Sequence, residues 1–389
     1  MKPFPLFTTI LLLSILFFSS CTTKVEDNTL ILKVELKDKG VSFYDLFERI
    51  DLIPLELNDS SFIKQIRKIH LVNDTLYVLD RELNSLLKFD ANSGKHIKTI
   101  QKVGQGPGEY THLYDAIIDS QHEEIELLSP FNFINRYDIT GSFIERINLP
   151  LPDNSASAHF KHFDDITYLL WVNSGPDSDI GKIVLISKET NQIINSFWKG
   201  QGMEDQFVVS PFWQYQGKTY FSTSITNNVY EITPDGTTLA YKWDFGEYDI
   251  DAFREKEVAA PVELKNTTER MWQLVEQMTA SDKLYRFNSR HENDKYCYAQ
   301  IVFKNEKNLA PHIFYNKATG ENLYFFKTTE GLLFITYLFA EDYIVAELLT
   351  EELETLLASS LLNEEQRAIL QKRREDDNPI LIKLHFKLL

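Results

Sequence analysis

Histidines are the residues of this chain best suited to chemistry. His159 and His162 lie three positions apart, and Asp164 follows them closely. Imidazole and carboxylate groups are ligands that zinc accepts, but this spacing on a strand or loop does not make both rings face one ion. We therefore expect no metal site. The alternative is a site that gathers His159 and His162 with histidines from distant parts of the chain: His112, His122, His291 and His312.

Motifs of catalysis and cofactor binding are absent from the sequence. It contains no Gly-x-Ser-x-Gly, no His-Glu-x-x-His and no cysteine arranged as a nucleophile. The loop Gly104–Gly108 lacks the Lys-Ser/Thr end of a phosphate-binding loop and precedes a strand-like run, so we interpret it as a tight turn. Pairing any two of the 57 acidic residues into a glycosidase site would be arbitrary. We expect no cofactor, and we favour a binding role over catalysis.

The charge of the chain argues against nucleic acid as a partner. Its formal net charge is −17, and no stripe of Lys and Arg with interleaved aromatic residues interrupts the acidic composition. An acidic surface repels phosphate backbones. The two cysteines provide no disulfide framework, and Cys297 lies in an apolar strand-like run. We expect Cys297 to be a buried, inert thiol.

The amino end predicts export. Lys2 and the apolar run Leu6–Phe18 have the form of a secretory signal, which we assign to residues 1–20. The run is shorter than the roughly twenty apolar residues that span a bilayer. Phe18-Ser19-Ser20-Cys21 resembles the lipobox of bacterial lipoproteins, although an aliphatic residue is usual where Phe18 stands. The resemblance implies lipidation of Cys21 and an outer-membrane lipoprotein of the cell envelope; ordinary secretion with an unmodified Cys21 is the alternative.

One pattern occurs twice between residues 64 and 150. Each copy has four short runs of β-branched or aromatic residues separated by Asp, Asn or Gly turns, and Asp90 and Asp138 occupy matching positions. Four short strands in a repeat of this length are typical of one blade of a β-propeller. The first copy comprises Ile69–Val72, Leu76–Asp80, Leu86–Asp90 and His96–Ile100; the second comprises Ala116–Asp119, Ile125–Leu128, Ile134–Asp138 and Phe143–Ile147.

Weaker copies continue to the carboxyl end. We assign a third blade to Ile166–Trp171, Lys182–Ser187 and Ile193–Trp198, and a fourth to Lys218–Ser222, Asn228–Gly236 and Leu239–Phe245. The fifth has Tyr296–Phe303, His312–Gly320 and Leu323–Lys327, and the sixth has Leu332–Leu338, Tyr343–Leu348 and Pro379–Phe386.

The sequence therefore predicts an all-β fold, a six-bladed β-propeller over residues 45–389, preceded by a tether and strand over residues 21–44. The sixth blade lacks an outer strand, and Ile50–Leu57 could supply it from the opposite end of the chain. Such closure would leave no unpaired edge in the ring. We expect a monomer.

Two helical patterns interrupt the repeats, at about residues 251–280 and 350–374. The first joins the fourth and fifth blades, and the second lies between the second and third strands of the sixth. Both kinds of connection emerge on one face of a propeller. We expect both inserts on that face, around one mouth of the ring.

The motifs of the second copy resemble a known repeat. Gly104–Tyr110, Asn135–Asp138 and Gly141–Phe143, with the strand-like runs between them, look like the NHL repeat. Together with the lipobox and the terminal Asp376–Ile382, they resemble the six-bladed β-propeller lipoproteins of the Bacteroidetes. This resemblance implies the fold and the location, and it implies no reaction.

Turns between the second and third strands should face the same mouth as the inserts. Aromatic and amide side chains there would suit a glycan, a peptide or a partner protein. The rival function is a propeller enzyme, a hydrolase or a metal-dependent lyase, which a convergent histidine cluster would favour. The candidate ligand-binding residues are Arg81, Asn84, Asn132, Phe133, Trp171, Asn173 and Asn227.

Overall fold

The computed structural model describes residues 29–174, 178–199, 210–249, 286–302, 310–349 and 353–387. The predicted signal, Cys21 and the first helical insert lie outside these residues. The described part opens with strand β1 (Leu30–Lys33), helix α1 (Phe43–Leu46) and strand β2 (Phe47–Pro54). The remaining strands form the blades.

Blades one to three follow one another along the chain, each a sheet of four strands. Blade one has β3 (Ile66–Val72), β4 (Thr75–Asp80), β5 (Ser85–Asp90) and β6 (His96–Ile100). Blade two has β7 (Asp115–Asp119), β8 (Glu124–Ser129), β9 (Phe133–Asp138) and β10 (Phe143–Asn148). Blade three has β11 (Ser155–Asp164), β12 (Thr167–Ser174), β13 (Ile183–Ser187) and β14 (Ile193–Phe197).

Blades four to six complete the ring, and the prediction of a six-bladed β-propeller is confirmed. Blade four has β15 (Phe212–Tyr215), β16 (Lys218–Phe221), β17 (Asn228–Thr233) and β18 (Gly236–Asp244). Blade five has β19 (Arg286–Glu292), β20 (Tyr296–Val302), β21 (His312–Asn316) and β22 (Asn322–Phe325). Blade six has β23 (Phe334–Phe339), β24 (Tyr343–Leu348), β25 (Ile380–Phe386) and, from the amino end, β2.

Alternation along the strands explains how the blades pack. In β4, Leu76 and Val78 pack in an apolar cluster shared with blade six, whereas Tyr77 and Leu79 pack in a cluster shared with blade two. Successive side chains of a strand point to opposite faces of the sheet. A middle strand buried on both faces therefore needs apolar residues at successive positions, as Leu76 to Leu79 supply.

The ring closes through strand β2. This strand pairs antiparallel with β25, from Phe47 opposite Phe386 to Pro54 opposite Ile380. The sequence placed the closing strand at Ile50–Leu57, three residues too far along the chain. Closure between the two ends of the chain is nevertheless the predicted arrangement, and it pairs the edge that β25 would otherwise expose.

Strand β1 lies within residues 21–44, where the sequence predicted a tether and strand but no pairing partner. It pairs parallel with β18 and makes blade four a five-stranded sheet. Leu32 is buried in the cluster between blades four and five. The segment predicted as a tether is thus joined to the rim of the propeller from Leu30 onward.

The second helical insert forms two helices, α2 (Leu353–Ala358) and α3 (Glu364–Lys372). Leu356 and Leu370 are buried against blades five and six, and Gln366 Nε2 donates to the carbonyl of Ile50 at 2.6 Å. Among the described residues, none of either helix borders the central cavity. None of the helices in the described ranges is long and apolar enough to cross a membrane.

Candidate functional site

The inner strands of all six blades enclose a channel. They are β3, β7, β11, β15, β19 and β23, and residues of each border a cavity of about 550 Å³. Cavities of this size hold small organic ligands. The channel is therefore the candidate site, and its wall combines basic, imidazole and aromatic side chains.

Asp115 is the centre of the charged wall. Its carboxylate contacts Lys68 Nζ at 2.8 Å and lies 3.7 Å from His159 Nδ1. It also accepts hydrogen bonds from the backbone N–H groups of Ala116 and Phe160 at 2.9 and 3.1 Å. Burial alone would raise the pKa of Asp115, but Lys68 and His159 hold the pKa below its ordinary value. The carboxylate is therefore charged and fully paired.

Two further cations act on the same carboxylate. Burial lowers the pKa of Arg67 from its usual value, and the charge of Asp115 opposes that effect. Burial and the charge of Lys68 lower the pKa of Lys161 to about 8, again against Asp115. Because β3 supplies Arg67 and Lys68 while β11 supplies Lys161, the positive charge comes from two different blades.

His70 and His291 add imidazoles on two other sides of the channel. Burial lowers the pKa of His70 to about 3, and burial with the charge of Lys161 lowers that of His291 to about 4. Both rings are therefore neutral at physiological pH. His291 stacks on Phe339 with ring centroids 5.7 Å apart. Nε2 of His70 is buried without a hydrogen-bond partner in the described part of the chain.

The two closely spaced histidines singled out in the sequence contact different carboxylates. His159 contacts Asp115, whereas His162 Nε2 lies 2.9 Å from Glu126, a carboxylate that also accepts from the hydroxyl of Tyr168. Within the described ranges, no group of three His, Cys, Asp or Glu residues is arranged to hold a metal ion.

The other candidate histidines lie apart from the channel wall. His112 packs against the ring of Phe131, and His122 Nδ1 lies 2.8 Å from Asp119. His312 is buried inside blade five, with Nδ1 2.9 Å from the Tyr298 hydroxyl. The described structure does not bring these three rings together.

Two of the predicted mouth residues join neighbouring blades. Asn84 Oδ1 accepts from Leu113 N at 2.8 Å, and Asn132 Oδ1 accepts from Ser157 N at 3.0 Å. Both asparagines have positive φ, 52° and 59°, which asparagine tolerates better than most residues. In each case the turn of one blade binds the segment that enters the next. These contacts account for the two amide oxygens without a ligand.

The remaining predicted residues differ in their contacts and in how deeply they are buried. Arg81 lies over the ring of Tyr114, 3.7 Å from its centroid, and Tyr114 borders the channel. Phe133 is partly buried beneath the Arg146 guanidinium. Asn173 is half-buried on β12, and its Oδ1 has no partner among the described residues.

Trp171 and Asn227 are corrected by the structure. Both are fully buried, Trp171 stacked on Phe221 and Asn227 hydrogen-bonded to Asp249. A side chain with no exposed surface offers none to a ligand, so we remove these two from the candidate site.

The sequence motifs did not single out the basic wall, although the sequence contains a signal for it. Arg67, Lys68 and His70 fall in or just before the first run of blade one, and Lys161 lies between the two histidines of blade three. First strands of blades are the inner strands, so charged residues in those runs were the ones to select. The Gly104–Gly108 loop forms a connection between blades, and Gly108 has a φ of 72°.

Comparison with known proteins identifies a family and a fold. The family described as "Domain of unknown function (DUF4934)" matches residues 30–385. No curated protein matches the chain significantly.

Two solved structures from Bacteroides are similar to this chain. A Bacteroides fragilis protein described as exported is 17% identical, with a TM-score of 0.72, and the match covers 92% of this chain and 100% of that one. A member of the DUF4221 family from Bacteroides vulgatus is 12% identical, with a TM-score of 0.55 and coverage of 90% and 99%. At these identities the likeness shows the fold alone.

Proposed function

The chain belongs to the DUF4934 family of domains of unknown function, and from its channel we propose that it is a cell-envelope binding protein that takes a small ligand into the propeller. The cavity carries this proposal, because all six blades contribute to its wall and its volume of about 550 Å³ suits a small organic molecule. Its aromatic border supports a ligand with apolar faces, such as a sugar ring. This border includes Tyr114, Phe212, Trp213, Tyr337 and Phe339.

The size of the cavity supports a small ligand over a folded partner protein. A glycan fragment or a short peptide fits such a volume, whereas a folded partner protein could only cover the mouth. We therefore favour a small ligand within the channel, bound by a monomeric propeller. The described residues provide no grouping of metal ligands that would favour the lyase alternative.

The proposed location of the protein is the outer membrane, to which a lipid on Cys21 would attach it. Three observations support it: the apolar run Leu6–Phe18, the lipobox-like residues before Cys21, and a similar fold in a Bacteroides protein described as exported. We propose on the same grounds that the protein is a member of the NHL-like β-propeller lipoproteins. Several acyl chains would hold the protein far more firmly than one, since each buried methylene contributes roughly 0.8 kcal/mol.

A thermal-shift screen of the full-length protein tests the binding function. The ligands are neutral and acidic sugars, short peptides and divalent metals, and a compound bound only by the folded state raises the melting temperature. Gln214 is exposed at the channel, and its Nε2 lies 3.4 Å from the carbonyl of His162 on another blade. Gln214→Trp should therefore narrow the channel and reduce the shift.

The matched control is Gln121→Trp, in an exposed turn of blade two. It should leave the shift unchanged. A shift that persists fully in Gln214→Trp would place the ligand outside the channel, and a screen without any sugar or peptide hit would contradict the proposed function.

A further inference from the structure

Positive charge exceeds negative charge among the described residues that border the cavity. The cations are Arg67, Lys68 and Lys161, and the carboxylates are Asp115 and Glu292. Lys68 pairs with Asp115 at 2.8 Å, and Glu292 is held by Lys317 at 2.7 Å. Both carboxylates are thus neutralised within the wall, in a chain whose net charge is −17. A basic cavity in so acidic a protein attracts anions selectively.

Lys161 is the cation best placed to meet a ligand. In the described ranges its ammonium makes no hydrogen bond and no ion pair, yet the side chain borders the cavity. In addition to burial, its charge lowers the pKa of His70 of blade one and of His291 of blade five. The Lys161 ammonium therefore lies near the inner strands of two other blades. Holding an unpaired ammonium in a protein wall is costly unless an anion accompanies it.

Two polar atoms on other side chains of the same cavity also lack partners among the described residues. They are Nε2 of His70 and Nε1 of Trp213, both buried and both on side chains that border the cavity. His70 forms its other hydrogen bond with the backbone of Ala116 and is neutral, so its free Nε2 accepts. The indole N–H of Trp213 donates. A ligand with hydroxyl groups would satisfy both atoms.

We propose that the channel binds an acidic sugar, a polyhydroxylated small molecule whose oxyanion group pairs with Lys161. This inference deepens the proposed function and rests on it. The hydroxyl groups would meet His70 and Trp213, and the ring would lie against the aromatic border at Tyr337 and Phe339. Carboxylate, sulfate and phosphate groups all supply the required oxyanion. A bare inorganic anion has no sugar hydroxyl groups to bond to Nε2 of His70 and Nε1 of Trp213.

Isothermal titration of the full-length protein tests the inference. The probes are glucuronate, galacturonate, glucose 6-sulfate and glucose 6-phosphate, with glucose, galactose and inorganic phosphate as comparison ligands. We expect at least one acidic sugar to bind at least tenfold more tightly than its neutral counterpart and than phosphate. Lys161→Met should weaken that affinity at least tenfold, because it removes a charge-assisted hydrogen bond while keeping the apolar stem.

Two control variants separate charge from folding. Lys161→Arg keeps the charge and should retain most of the affinity, and Lys95→Met removes a charge from an exposed turn of blade one and should change nothing. Lys161→Met should melt no lower than the unmutated protein, since it removes a buried cation that faces Lys68.

The outcomes distinguish this inference from the proposed function. If glucose or galactose binds as tightly as the acidic sugars, or if Lys161→Met leaves the affinity unchanged, the inference is wrong while a channel ligand stands. Tighter binding of inorganic phosphate than of every sugar would also overturn it. If no sugar binds at all, the inference is wrong. The proposed function then depends on whether any peptide raises the melting temperature in the thermal-shift screen.

Discussion

Asp115 determines how the basic residues of the channel are arranged. Lys68 and His159 contact its carboxylate directly, and Arg67 and Lys161 act on it through space. Without it, these groups would repel one another in a poorly solvated wall. The sequence did not single out this residue, because an aspartate at the start of a strand looks like one more turn residue.

Asp115→Asn should lower the free energy of unfolding by about 3 kcal/mol in urea titrations. Breaking a buried pair leaves its partner uncompensated, and the value lies at the lower end because the Lys68 side chain is 30% exposed. Adding Lys68→Met should restore part of the loss. Asp153→Asn, at an exposed turn, is the matched control, and an equal loss in that variant would contradict the role of Asp115.

The proposed anion site should depend on pH through Lys161. Its pKa of about 8 means that the amine loses its proton as the pH rises above 8. Because only the ammonium pairs with an oxyanion, affinity for an acidic sugar should fall about tenfold between pH 7 and pH 9. Lys161→Arg should remove this fall, since a guanidinium stays charged. Identical pH profiles for both proteins by titration calorimetry would exclude Lys161 as the contact.

Strands could be predicted well where local pattern specifies them. The two copies between residues 64 and 150 gave the strands of blades one and two within a few residues, because their middle strands divide apolar side chains between two clusters. The pairing of strand β1 could not be predicted, since four residues have too little pattern to fix a partner and β18 is about two hundred positions away. Asn84 and Asn132 were correctly placed in turns, but the sequence could not reveal that they bond to the next blade.

Ring closure by β2 makes a prediction at the level of one strand. Ile50 is 3% exposed within the cluster of blades five and six, so Ile50→Ala should cost about 2–4 kcal/mol through the cavity it leaves. Glu48→Ala, exposed on the same strand, should change stability by less than about 0.5 kcal/mol. Both values come from urea unfolding. Equal effects of the two variants would mean that β2 does not close the ring.

The whole molecule combines a closed ring of six blades with a proposed membrane anchor. The sequence predicted the ring because repeats are visible in a pattern of strands, and it predicted the anchor from the residues around Cys21. The charged residues of the inner strands could have been selected from the sequence, but their pairing across the channel could not, because side chains from six distant strands meet there only after the ring has closed. Lys161 and His70, for example, lie on different blades.

Cys21→Ser should release the protein from the membrane. Its sulfur is the proposed attachment point for the diacylglycerol, so the variant would carry no acyl chain there to hold it in the membrane. We expect the variant in the soluble fraction after ultracentrifugation and without incorporated radiolabelled palmitate. Unchanged membrane fractionation with retained label would show that Cys21 carries no lipid.

A crystal structure of the protein with the acidic sugar that binds best would show whether the channel is the binding site. We expect the sugar inside the ring, with its oxyanion within hydrogen-bond distance of Lys161 Nζ and its hydroxyl groups at His70 and Trp213. A sugar ordered on the outer surface of the blades, with an empty channel at saturating concentration, would contradict this expectation.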